Sequence, residues 1–96
     1  MNLTELSTPA ALVDLPRMQR NIARMHERLD ALGVAFRPHL KTSKYPEVAR
    51  RQRDAGARGI TVSTLKEAEA FFGGGFDDIQ YAVAMAPSKA ARALEL

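Results

Sequence analysis

Eight consecutive residues near the middle of the chain carry most of the groups that can do chemistry. In order they are Arg37, Pro38, His39, Leu40, Lys41, Thr42, Ser43 and Lys44. The first five complete a predicted strand over residues 34–41, which begins with β-branched and aromatic residues, and the last three follow it. Ligands gather at the carboxyl ends of strands in barrels and in open α/β sheets. This run is therefore the candidate active site.

Lys41 is the candidate nucleophile of this run. If the strand stays extended through Lys41, then Arg37, His39 and Lys41 share one face, because side chains alternate with period two. A lysine that faces the interior of a barrel loses hydration, which favours its neutral amine. A neutral amine attacks aldehydes and forms Schiff bases. The residues alone leave a second interpretation open, in which Lys41 is a solvated strand end.

The elements around this run alternate in type. Apolar residues at three- and four-residue spacing predict a helix over 16–32, with Asp14 as its N-cap and Gly33 at its end. Strands are predicted near 34–41, 59–63 and 79–85, and helices over 46–55, 65–73 and 87–95. Strand and helix in strict alternation indicate right-handed crossovers and a parallel sheet.

Two glycine and capping signals mark the third helix. Thr64 and Glu67 have the spacing of a capping box, which predicts the start of a helix at residue 65. Gly73, Gly74 and Gly75 come before a strand and not between a strand and a helix, which is the wrong order for a phosphate-binding loop. We interpret them as a helix-to-strand turn.

Composition excludes several classes of function. The chain has no cysteine and only two histidines, so we expect no metal site within it. The net charge of +3 is a mild excess, and the basic cluster Arg50, Arg51 and Arg53 lacks interleaved aromatic residues, so we expect no nucleic-acid partner. Neither a secretory signal nor a run of about 20 apolar residues is present, so we expect no membrane insertion and a cytoplasmic location.

Four segments resemble the opening of the D-threonine aldolase / D-serine dehydratase-like family, relatives of the alanine racemase barrel. They are TPAALVDLPRMQRNIARM, GVAFRPHLKTSKYPEVARRQ, AGARGITVSTLKEAEAFF and DDIQYAVAMAPSK. The most specific is RPHLKTSK, which is similar to the family's RPHxKTxK box. The resemblance implies that Lys41 forms a Schiff base with pyridoxal 5'-phosphate, and that His39 and Arg37, which belong to the box and share the predicted strand face, lie near this cofactor. Tyr45 stands four residues after Lys41, where the more distantly related alanine racemases have a tyrosine that contacts the cofactor phosphate; the alternative is an exposed loop residue before Pro46.

The same resemblance implies a larger enzyme and its substrates. The fold class expected is α/β, a partial (β/α)8 TIM-type barrel of about three βα units over residues 15–96, preceded by a short strand. In a complete enzyme, residues 1–14 belong to the C-terminal β domain, which also supplies any divalent metal ligands. The expected substrates are D-3-hydroxy amino acids, for a lyase that is an aldolase or a dehydratase, working as a homodimer.

Three points remain open from the sequence. Ser43 stands where the family box often has histidine, which indicates a subgroup with a different substrate. A racemase of the same fold, or a non-catalytic α/β module that binds pyridoxal phosphate, is an alternative to the lyase. A parallel sheet of three strands cannot close a barrel, so we expect a truncated chain with exposed strand edges and little activity of its own.

Overall fold

A computed structural model describes residues 2–96; Met1, part of the predicted leading segment, lies outside the described residues. The described residues form four α-helices: α1 (Leu15–Ala31), α2 (Pro46–Asp54), α3 (Leu65–Gly73) and α4 (Ala90–Leu94). Two strands, β1 (Ile60–Val62) and β2 (Ile79–Tyr81), lie between them, and single 3₁₀ turns occupy Leu3–Glu5 and Pro87–Lys89. The predicted alternation of helices and strands is confirmed from residue 46 onward.

The predicted helix ends are confirmed by their caps. The Asp14 carboxylate accepts a hydrogen bond from the Arg17 backbone N–H at 2.9 Å, and Gly33 follows α1 with a φ of +66°. Thr64 Oγ1 accepts from the Glu67 N–H at 3.0 Å, while the Glu67 carboxylate accepts from the Thr64 N–H at 3.3 Å. Each cap satisfies amide groups that a helix start leaves without intrahelical partners.

The sheet is parallel, as predicted. Strands β1 and β2 pair in the register Ile60 with Ile79 and Val62 with Tyr81. On the other edge of β1, an extended segment over residues 36–40 forms a parallel bridge between His39 and Thr61. Backbone bonds of 2.8 to 2.9 Å join this segment to β1 and to the turn before it. The spatial order is therefore segment 36–40, β1, β2.

Two predicted strands differ from the structure. The strand expected over 34–41 is an extended segment with one bridge and ends at Leu40, because Pro38 has no N–H to donate and the chain turns at Lys41. The strand expected over 79–85 is shorter in the structure and ends at Tyr81. The fourth predicted helix, over 87–95, divides into a 3₁₀ turn and the short α4.

The short leading strand expected over residues 10–14 is not formed. These residues are exposed and have no strand neighbour among residues 2–96, so their backbone groups find no ladder to join. They therefore lie outside the parallel sheet. Their assignment to a C-terminal β domain stays a prediction.

The core lies between the sheet and helices α2 and α3. Leu40, Ile60 and Val62 are at most 1% exposed and pack with Ala49, Phe71 and Phe76. Burial of each large side chain contributes roughly 1.5–3 kcal/mol. Because neighbouring residues of a strand face opposite sides, His39, Thr61 and Gln80 lie on the face away from this core. No helix within residues 2–96 is long and apolar enough to cross a membrane.

Candidate active site

Lys41 follows the last extended residue of segment 36–40, at the carboxyl end of the sheet. The Leu40 carbonyl accepts a hydrogen bond from the Lys44 N–H at 2.9 Å, which closes a turn over residues 41–43. The premise that the strand stays extended through Lys41 is therefore wrong. Lys41 is exposed, and among the described residues its side-chain amine has no hydrogen-bond or ion-pair partner.

His39 holds the backbone of Lys41. Its Nδ1 accepts a hydrogen bond from the Lys41 N–H at 3.2 Å, and its Nε2 lies 3.1 Å from Ser63 Oγ. Because Nδ1 accepts, the ring hydrogen of a neutral imidazole is on Nε2, which donates to the Ser63 hydroxyl. Ser63 comes directly after β1, so the ring bridges the carboxyl ends of two neighbouring strands.

Lys44, the second lysine of the box, is engaged. Its Nζ lies 3.4 Å from Glu67 Oε1, and its backbone has a φ of +47°, a left-handed conformation that is uncommon for residues other than glycine. Glu67 is the capping residue of α3, and its Oε2 also accepts from the Ser63 N–H at 2.8 Å. The hydrogen bond from the Ser63 amide, with Lys44 contributing, lowers the pKa of the Glu67 carboxyl below its ordinary value.

Arg37 lies at the opposite, amino end of the sheet. Its guanidinium pairs with both carboxylate oxygens of Asp78, at 2.6 and 2.8 Å, and donates to the Asp78 carbonyl at 3.1 Å. This pair raises the pKa of Arg37 and lowers the pKa of Asp78, in each case mainly through the side-chain hydrogen bond. Arg37 and Lys41 are thus separated along the strand direction, and a role for Arg37 toward a cofactor stays a prediction.

Tyr45 is the remaining residue that the sequence predicted at the site, and Ser63 and Glu67 are residues that it did not predict there. Tyr45 is 58% exposed in the link between the Lys41 turn and α2, four residues after Lys41. Ser63 and Glu67 were not expected at the site, although both follow the carboxyl end of β1, the position that would have indicated them. Among residues 2–96, no three His, Asp or Glu side chains cluster closely enough to hold a metal ion.

Most of the chain matches a known protein family. Residues 13–96 match the family described as "alanine racemase, N-terminal domain". The chain belongs to this family. The match takes in the Lys41 turn, both strands and all four helices, and the resemblance inferred from the RPHLKTSK box is confirmed.

The relatives are dehydratases and aldolases of D-amino acids. The chain is 65% identical over 94 residues to the D-threo-3-hydroxyaspartate dehydratase of Delftia sp. (strain HT23), covering 98% of this chain and 25% of that protein. It is 40% identical over 100 residues to the D-serine dehydratase of Dictyostelium discoideum, covering 99% of this chain and 25% of the relative. It is also 40% identical over 77 residues to a D-threonine aldolase of Arthrobacter sp., covering 80% and 20%.

The solved structure of the Delftia dehydratase has the same fold in this region. It superposes with a TM-score of 0.93 at 65% identity, over 95% of this chain and 24% of that one. A mutant of that dehydratase is described as being in the metal-free form. This chain spans about a quarter of the length of the curated relatives that it matches.

Proposed function

We propose that this chain is the cofactor-lysine segment of a pyridoxal-phosphate-dependent lyase that acts on D-3-hydroxy amino acids, with Lys41 as the attachment residue. The observation that carries the proposal is the difference between the two lysines of the box. The Lys44 ammonium is paired with Glu67, whereas the exposed Lys41 amine, at the carboxyl end of the sheet, has no partner within residues 2–96. The names of the relatives supply the reaction class.

The proposed fold of the complete enzyme is a (β/α)8 barrel. Parallel strands with helices on one face only leave the other face uncovered, and closure of the sheet into a barrel turns that face into the interior. His39, Ser63 and Gln80 would then line the barrel at or near the carboxyl ends of its strands. The site of a TIM barrel lies at that end.

The side chains of this site fit a covalently held aldehyde cofactor. Pyridoxal phosphate, when bound, supplies an electron sink for bonds broken at the α-carbon of an amino acid. Lys41 offers the amine that holds it, and His39 fixes the Lys41 backbone through Nδ1. Ser63 fixes the orientation of the imidazole, since its hydroxyl meets Nε2. Tyr45 is proposed as a phosphate contact, and most other phosphate and ring contacts are expected from the rest of the barrel.

Three properties of the complete enzyme belong to the same proposal. Its substrate is a small D-amino acid with a 3-hydroxyl group, and its setting is the cytoplasm. A divalent metal, if used, is held by ligands outside these 96 residues. The complete enzyme is a homodimer, a state that light scattering measures directly.

Cofactor attachment tests the assignment of Lys41. The complete enzyme is incubated with pyridoxal phosphate, reduced with borohydride, digested and mapped by mass spectrometry. We expect the label on the peptide that contains Lys41, and we expect Lys41→Arg to lose both the label and the visible absorbance band, because a guanidinium stays protonated. A retained band in Lys41→Arg would refute the assignment.

Product analysis separates the lyase from the alternatives. D-threo-3-hydroxyaspartate, D-serine and D-threonine are supplied in turn to the complete enzyme after incubation with pyridoxal phosphate. Ammonia with a keto acid indicates a dehydratase, glycine with an aldehyde indicates an aldolase, and inversion at the α-carbon alone, which converts D-serine to L-serine, indicates a racemase. Cofactor attachment without any product would identify a non-catalytic binding module and would overturn the lyase.

A further inference from the structure

Lys41 and Lys44 lie three residues apart at the turn on the carboxyl end of the sheet, and the Glu67 carboxylate contacts the second of them. We propose that Glu67 selects which lysine takes the cofactor: it engages Lys44, closes the turn around Lys41 and leaves only the Lys41 amine available. Glu67 thereby acts as a positioning residue. This inference rests on the proposed function, because it concerns attachment of the same aldehyde cofactor.

The geometry of the turn supports this role. Lys44 has a φ of +47° and donates its N–H to the Leu40 carbonyl at 2.9 Å, which closes the turn. A lysine adopts the left-handed conformation only when its surroundings hold it there. The 3.4 Å contact between Lys44 Nζ and Glu67 Oε1 is the side-chain interaction that ties this end of the turn to α3.

The Glu67 carboxylate is itself held firmly. Only 11% of its side chain is exposed, compared with 64% for Lys44. Its Oε2 accepts from the Ser63 and Thr64 backbone amides at 2.8 and 3.3 Å, which leaves Oε1 directed at Lys44. The lowered pKa of Glu67 keeps the carboxylate charged at neutral pH. Glu67 is therefore the buried member of the pair, held by the two backbone amides, and Lys44 is the exposed member.

Engagement by Glu67 also keeps Lys44 from reacting. Attachment joins the amine nitrogen to the aldehyde carbon, and the carbonyl oxygen leaves as water together with two amine hydrogens. An ammonium must first release its third proton, and only the neutral amine attacks. Lys44 must in addition leave its carboxylate partner, whereas Lys41 has none among the described residues.

Label mapping on variants of the complete enzyme tests the proposal. In the wild type, borohydride reduction after incubation with pyridoxal phosphate is expected to label Lys41 alone. Glu67→Gln keeps an acceptor for the backbone amides but removes the charge, and label is expected to appear on Lys44 in addition to Lys41, because the partly exposed ion pair is lost. Thr64→Ala is the matched control: it removes the other half of the capping box without touching Lys44, so label is expected on Lys41 only.

A second pair of variants covers the case in which Glu67→Gln fails to fold. Lys44→Arg keeps the ion pair and cannot take the label, whereas Lys44→Met loses the pair. We expect Lys41 to be labelled at the wild-type rate in Lys44→Arg and several-fold more slowly in Lys44→Met. Equal rates in these two variants, or unchanged label positions in a folded Glu67→Gln, overturn the role of Glu67. Absence of label from the wild type would instead overturn the proposed function.

Discussion

The two ends of the sheet hold their charged groups in different ways. At the amino end, Arg37 and Asp78 satisfy each other through two short hydrogen bonds, and Gly59 leaves them the space to meet. At the carboxyl end, His39 contacts Ser63 and Lys44 contacts Glu67, but the side-chain amine of Lys41 has no partner in the part of the chain that the structure describes. One end is closed by its own charges, and the other keeps one amine available.

This difference separates stability from chemistry along a single extended segment. Arg37 and His39 are two residues apart and Lys41 follows two later, so the sequence pattern assigns all three to one face. The structure adds the position along the strand, because Arg37 reaches the start of β2 while His39 reaches the residue after β1. A shared face is therefore not a shared site.

The largest contrast between the two ends is expected when Lys41 at the carboxyl end and Arg37 at the amino end are each replaced by methionine. Lys41→Met in the complete enzyme should abolish cofactor attachment and turnover, since no amine remains at the attachment position. Arg37→Met should keep attachment and lower the midpoint of urea unfolding, because Asp78 loses its partner. Absorbance spectra and unfolding curves measure both effects. A folded Arg37→Met protein without attached cofactor would place Arg37 in the cofactor site after all.

A methyl group at residue 59 is expected to damage the amino end only. A Cβ there would lie 2.6 Å from the Asp78 carbonyl oxygen and would collide with the Arg37 guanidinium. Gly59→Ala should therefore destabilise the chain by about 1–3 kcal/mol, as overpacking usually does. Gly73→Ala is the control, because a Cβ at the end of α3 meets nothing within 4 Å. Equal urea midpoints for the two variants would argue against the tight approach at Gly59.

His39 is expected to matter less, and only at the carboxyl end. His39→Ala removes the acceptor of the Lys41 N–H, and loss of one hydrogen bond of about 1 kcal/mol weakens cofactor binding roughly fivefold. Ser63→Ala keeps that acceptor and frees the ring, so a smaller loss is expected. Titration with pyridoxal phosphate gives both dissociation constants. A larger loss in Ser63→Ala than in His39→Ala would mean that Ser63 acts on the cofactor directly.

Much of the fold was predictable because its signals are local. The Asp14 cap, the Thr64–Glu67 capping box and the glycine turn are set by residues within a few positions of one another, and each is confirmed. The family box also indicates Lys41 as the attachment residue, and that assignment stays a prediction. These features need no knowledge of distant contacts.

The partners of the site were not predictable, because they depend on contacts between residues far apart in sequence. Asp78 lies 41 residues from Arg37, and Ser63 lies 24 residues from His39. Strand periodicity gives the face of a side chain but not which neighbouring element it reaches. The leading strand predicted from the sequence is not formed for a related reason: a strand requires a neighbour, and residues 10–14 have none in the described part of the chain.

Acid and salt together are expected to give the smallest difference between the two ends. The pKa of Asp78 is lowered from 3.8 and that of Glu67 from 4.5, so the unfolded chain binds more protons than the folded chain in acid. Both groups therefore contribute stability above these ordinary values, and this contribution is lost as the pH falls below them. The causes differ: Asp78 is half exposed and depends chiefly on Arg37, whereas Glu67 is shielded and depends chiefly on the Ser63 amide. Salt screens exposed charges more than backbone hydrogen bonds. Urea midpoints from pH 7 to pH 3, at low and at high salt, should show that Asp78→Asn reduces the acid sensitivity mainly at low salt, and Glu67→Gln reduces it at both. The same salt response in both variants would mean that the two carboxylates are held alike.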